Sequence, residues 1–160
     1  EWVARGAEGG ALGYPTGNTV CGLTDTGCRQ DFQNGALYSS AATGVNLVSG
    51  PILASWRGSA QDGYLGYPVA DAWCDLVGGG CVQEFQEGVI AWSPATGAWG
   101  VVEPVLSAWI NEGAEEGDLG YPVGWSRSEG DWRRGYFQYG EILVHKDGWS
   151  LTLPYQLTMY

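Results

Sequence analysis

Apolar and polar positions alternate along this chain in short runs set between glycine-rich stretches. Gly-Ala-Leu-Tyr-Ser-Ser at 35–40 and Gly-Val-Ile-Ala-Trp-Ser at 88–93 have the length and residue types of strands. Each leads into a Thr-Gly pair, Thr43-Gly44 or Thr96-Gly97, so each predicts one arm of a β-hairpin. Residues 51–56 and 104–109 predict short helices. Both open on proline, whose missing N–H costs nothing in a first helical turn, and Ile52, Leu53 and Trp56 fall near one helical face. The glycines that follow end the helix, and Leu-Gly-Tyr-Pro then makes a tight turn with its Leu and Tyr available for packing. At 154–160, Gln156, Thr158 and Tyr160 alternate with Leu157 and Met159, which predicts a last strand that closes the assembly.

The whole pattern recurs. Leu-Gly-Tyr-Pro begins at Leu12, Leu65 and Leu119, at spacings of 53 and 54 residues. Phe32, Phe85 and Phe137 share one phase, and each is followed three residues later by glycine, at Gly35, Gly88 and Gly140. Trp2, Trp56 and Trp109 share another, Pro51 and Pro104 match, and Asp147-Gly148 takes the third Thr-Gly place. The chain reads as one domain of three units, about 2–55, 56–108 and 109–160. The expected fold is mainly β with short helices, in three pseudo-symmetric units. Repeat units bury a face against neighbours, so their ends require capping or closure, and the shared phase of the termini suits a closed threefold ring.

Composition narrows the function. Glycine supplies 27 of 160 residues, against a usual share of about 7%. Nine Trp and nine Tyr stand beside three Phe, one Met and one His. Seven Lys and Arg against 18 Asp and Glu leave a net charge of −11. Phosphate binding requires cations, so nucleic acid is excluded as a partner, and an anionic membrane surface is disfavoured. No apolar run reaches the ~18 residues of a membrane span, so no membrane insertion is expected. The chain begins at Glu1 with no charged-then-apolar leader and reads as a mature or excised segment.

The four cysteines form two pairs at the repeat offset, Cys21 with Cys28 and Cys74 with Cys81. Three connectivities are formally possible, and the repeat favours the two local ones. Zinc usually takes cysteines two to four residues apart, and six intervene here, so disulfides and an extracytoplasmic protein are expected rather than a metal. The third unit sets Ser128 and Arg134 near these positions, predicting an unbridged loop one residue shorter.

Catalytic chemistry is sparse. His145 has no counterpart in the other units and reads as a turn residue, so no Ser–His–Asp arrangement is indicated. Glu115, Glu116 and Asp118 lie on a glycine-rich connection and read as solvated loop acids, although paired carboxylates hydrolyse glycosides elsewhere. No cofactor motif is present, and no enzyme activity is expected. The positive signal is aromatic. Trp and Tyr in one phase read as packing, whereas Trp73, Trp92, Trp99, Trp125, Trp132 and Trp149 vary, and six exceed what a small core holds. Exposed rings stack on sugar C–H faces while Gln, Asp and Glu bind hydroxyls. The candidate ligand residues are Gln30, Asp31 and Tyr38 in the first unit, and Trp73, Gln83, Glu84 and Trp92 in the second. In the third they are Trp125, Tyr136 and Gln138.

Leu-Gly-Tyr-Pro, then Gln-x-Phe-x-x-Gly, then Ser-Pro-Ala-Thr-Gly at 93–97, with Pro-Ile-Leu-Ala-Ser-Trp at 51–56, resembles the LGFP repeat. The resemblance covers all three units except the final dozen residues and is closest in the second. It implies a secreted protein of the kind found mostly in actinobacteria and in some fungi, where such repeats commonly follow a catalytic domain. It also implies a role in binding cell-wall glycan, with arabinogalactan the usual candidate. Residues and resemblance together point to a non-catalytic, secreted or cell-wall carbohydrate-binding protein, lectin-like, with one neutral-sugar site per unit. The alternatives are a structural or protein-interaction module and a glycan hydrolase.

Overall fold

The computed structural model describes residues 1–59 and 65–155. It is mainly β, with three open sheets and short helices. The strands are β1 (Val20–Cys21), β2 (Cys28–Phe32), β3 (Gly35–Ser40), β4 (Gly44–Val48), β5 (Cys81–Phe85), β6 (Gly88–Ser93), β7 (Gly97–Val102), β8 (Arg127–Glu129), β9 (Trp132–Phe137), β10 (Gly140–His145) and β11 (Ser150–Pro154). Their order is β1-β2-β3-β4, β5-β6-β7 and β11-β10-β9-β8, each sheet a meander. Among the described residues the α-helices are α1 (Gly50–Gly58), with proline in its first turn, and α2 (Val105–Asn111), with Pro104 as its N-cap. At the phase of Trp2 there is only a 3-10 turn, Val3–Arg5. Of the tail strand expected at 154–160, only Pro154 belongs to a strand, as the last residue of β11, Tyr155 lies outside any strand, and 156–160 lie outside the described residues, as does Tyr64.

The chain forms two compact units, residues 1–72 with 83–87 and residues 73–82 with 88–160. Their boundaries do not follow the sequence period. In the first, Leu12, Phe32 and Leu37 form a buried cluster, with Trp2 and Leu47 packed against it. In the second, Val89, Val101, Val105, Trp109, Leu119, Phe137 and Ile142 belong to one core.

The recurring residues explain the geometry. Helix tryptophans meet the phenylalanines: Trp56 lies 5.2 Å from Phe85, and Trp109 stacks on Phe137 at 5.5 Å. Trp2 sits 6.1 Å from Phe32. The indole N–H of Trp2 donates to the Gly13 carbonyl at 3.0 Å, and that of Trp109 to Gly120 at 3.1 Å, so each ring also fixes a Leu-Gly-Tyr-Pro turn. These turns place Gly13, Gly66 and Gly120 at φ near +73°, a left-handed conformation that glycine adopts without strain. The glutamine after each phenylalanine completes the turn. Gln33, Gln86 and Gln138 accept the backbone N–H of Tyr14, Tyr67 and Tyr121 at 3.1, 2.9 and 2.9 Å. In each case the proline bridges the phenylalanine as an isolated β-pair.

Candidate functional site

Both expected disulfides are formed, Cys21–Cys28 and Cys74–Cys81. In the first, Cys21 and Cys28 face each other across β1 and β2. In the third sheet the equivalent facing pair is Ser128 and Arg133, so its loop is shorter by two residues, not one. The partner is Arg133 rather than Arg134 because β8 and β9 turn directly through Gly130-Asp131.

The hairpin turns differ in the same way. Ser40 and Thr43 share a hydroxyl hydrogen bond of 2.6 Å, and Ser93 and Thr96 one of 2.5 Å. In the third sheet His145 stands in the serine place, and its N–H donates to the Trp149 carbonyl at 2.8 Å. Its Nδ1 accepts the Asp147 N–H at 3.2 Å and lies 3.2 Å from the Asp147 carboxylate.

Three positions have therefore changed together. Hairpin register puts Gly148-Trp149, not Asp147-Gly148, in the third Thr-Gly place, so Gly27, Ser40 and Gly44 correspond to Gly80, Ser93 and Gly97, and then to Trp132, His145 and Trp149. The last three form an aromatic corner. Trp132 meets Trp149 edge-on at 4.6 Å and His145 edge-on at 4.9 Å, while His145 stacks on Trp149 at 5.0 Å. Trp149 is 51% exposed. Beside the corner runs a groove of about 550 Å³ between α2 and the third sheet, lined by Ser107, Asn111, Trp132, Arg133, His145 and Lys146 among others. A separate groove of about 280 Å³ lies in the first compact unit, lined by Trp2, Thr19, Arg29, Gln30, Tyr38 and Ser39 among others.

The candidate ligand residues are dispersed. Gln30 and Tyr38 share the first groove, where Gln30 accepts from Thr19 Oγ1 at 3.2 Å. Tyr38 is buried, and its hydroxyl accepts from Arg57, which also grips Asp31 at 2.6 Å. Gln83 is buried and spends its amide on the Leu47 and Ala70 carbonyls at 2.8 and 2.9 Å. Gln138 holds Tyr121 as described. Trp125 packs its ring over Gly100, where a Cβ would come within 2.1 Å of it. Trp73, 71% exposed, and Glu84, exposed, stand on the surface, and Trp92 is half-buried on β6. Tyr136 donates to Glu129 at 3.0 Å, and that bond, with the nearby Arg134, holds the Glu129 carboxyl below its usual range.

The sequence-derived ligand set omits Trp132, His145 and Trp149. The signal for them is present once the phases are compared, because glycine, serine and glycine become three rings at one end of one sheet.

Among the described residues no group of three His, Cys, Asp or Glu is placed to hold a metal, and no helix is long and apolar enough to cross a membrane. The chain matches no curated protein. The LGFP repeat profile matches it twice, over residues 12–61 and 65–117, which is more than half of the sequence. The turns at Leu12 and Leu65, the Pro15–Phe32 and Pro68–Phe85 bridges and the helix tryptophans Trp56 and Trp109 lie within those matched residues, and the chain belongs to the LGFP repeat family.

Proposed function

We propose that this chain is a non-catalytic carbohydrate-binding protein in which residues 119–155 form a diverged third LGFP repeat. The observation that carries the reading is the Trp132–His145–Trp149 corner beside its groove. Trp132 lines that groove and meets the exposed Trp149 edge-on, so the two indoles offer a floor and a wall for the C–H face of a pyranose or furanose ring. Asn111, Ser107 and Lys146 supply hydrogen-bonding groups along the same groove. A concave site with aromatic lining and a few polar groups is the usual form of a small-ligand site. The net charge of −11 does not oppose a neutral sugar. The groove at Trp2 and Gln30 supports a second site, and weak individual affinities combine on a polymeric glycan. Two disulfides suit a secreted or cell-wall location, with a wall polysaccharide such as arabinogalactan as partner.

A glycan array on the intact oxidised protein, followed by titration of tryptophan fluorescence, tests this. Trp149→Ala is expected to weaken binding roughly tenfold, the effect of losing one exposed aromatic anchor. No saccharide bound at millimolar concentration would overturn the reading. The rival, a structural or protein-interaction module, draws on Trp125 filling the space over Gly100, and it predicts tryptophan emission unmoved by any sugar.

A further inference from the structure

Each fully packed Leu-Gly-Tyr-Pro turn delivers its tyrosine to a socket in the preceding Cys-bridged loop. Tyr67 donates to the Thr24 carbonyl at 2.5 Å, and Tyr121 donates to the Val77 carbonyl. The socket has no side chain of its own at its floor. A Cβ on Gly27 would lie 2.0 Å from the Tyr67 hydroxyl, and one on Gly80 would lie 2.1 Å from that of Tyr121. These tyrosines are 1% and 4% exposed.

Two departures from this pairing sit at opposite phases. Tyr14 has the same turn, with its N–H held by Gln33 and Leu12 buried beneath, yet it is 58% exposed. The third loop has the opposite defect. Its glycine position is Trp132, it is two residues shorter, and the indole packs on His145 and Trp149 where a tyrosine would enter.

We propose that the Tyr14 turn is a docking plug for a Cys-bridged glycine loop of another LGFP repeat, and that Trp132 closes this chain's own third loop to such a plug. The two junctions already in the chain are the template for the contact. Both native glycine sockets are filled by Tyr67 and Tyr121, so Trp132 is what prevents head-to-tail association between copies. Such a heterologous contact, once allowed, propagates into open or ring-shaped assemblies. Placing a bulky residue where a like partner would dock is a known way of specifying against assembly.

The test exchanges residues 128–133 for the sequence of 74–81 in the full chain and follows mass by sedimentation velocity. The native protein is expected to stay monomeric, the exchanged chain to associate with rising concentration, and Tyr14→Ala in the exchanged chain to abolish that association. Exchanged chain that is folded, carries a third disulfide and stays monomeric at several hundred micromolar overturns the proposal, as does association that survives Tyr14→Ala. If the exchanged chain does not fold, Trp132→Gly in the full chain is followed in its place: association with rising concentration that Tyr14→Ala abolishes is expected, and a folded Trp132→Gly chain that stays monomeric at several hundred micromolar overturns the proposal.

Discussion

Gly27→Ala adds one methyl group where Tyr67 already stands. The new Cβ would lie 2.0 Å from the Tyr67 hydroxyl and 2.5 Å from Cζ, and the tyrosine belongs to a buried turn that cannot slide. The ring must move out, and the hydroxyl loses its bond to the Thr24 carbonyl. Overpacking costs about 1–3 kcal/mol, and the lost hydrogen bond about 1 kcal/mol. Gly27 has an ordinary extended backbone at φ −71°, so no conformational penalty confuses the result. The expected loss of roughly 2–4 kcal/mol lowers the melting temperature by about 5–15 °C for a domain of this size. Circular dichroism or calorimetry on oxidised protein reads it. Gly17→Ala is the internal control, because nothing lies within 4 Å of its Cβ position. That change leaves stability level or slightly raised through the stiffer unfolded chain. Adding Tyr67→Phe to Gly27→Ala removes the closest clash, so the pair is expected to lose less than the sum of its members. A Gly27→Ala protein that melts with the wild type refutes the socket.

Further outcomes follow from the same geometry. Trp109→Ala removes a buried ring that stacks on Phe137 and holds the Gly120 turn, with an expected loss of about 3–5 kcal/mol by denaturant titration. Cys21→Ser with Cys28→Ser opens an eight-residue loop and is expected to cost about 2.5 kcal/mol of chain entropy. Burial pushes the Asp71 carboxyl up, but the Arg5 hydrogen bonds and charge and the Leu47 N–H outweigh it, so its pKa is lowered. A lowered carboxylate stabilises above its unfolded pKa and loses that stabilisation as pH falls through the folded value. Asp71→Asn is therefore expected to destabilise at neutral pH and to match wild type in strong acid, read by melting at several pH values.

Much of the fold was legible because the period repeats its reasons. Proline-led helices, Thr-Gly hairpin turns and both disulfides follow from residue types at fixed offsets, and Phe32, Phe85 and Phe137 pack on the tryptophans that share their period. The candidate site was less legible. Gln83 and Gln138 read as sugar ligands because they are polar beside the recurring phenylalanines, yet Gln83 bonds the Leu47 carbonyl of β4 and the Ala70 carbonyl, and Gln138 holds the Tyr121 turn. Recurrence marked the scaffold. The aromatic corner lies where recurrence fails, and its three members are up to 17 residues apart in sequence, joined only by hairpin register. His145 alone carries no signal of that partnership.

The two compact units hold more than a topological curiosity. Neither is a sequence period: one contains the whole joint between Tyr67 and the 21–28 loop, the other the whole joint between Tyr121 and the 74–81 loop. Excising the middle period, about 56–108, would cut into both bodies, whereas inserting one in phase adds a joint of the same kind. Length in such a chain is adjustable by gene duplication, because what is copied is a tyrosine-and-socket connection and not a freestanding brick.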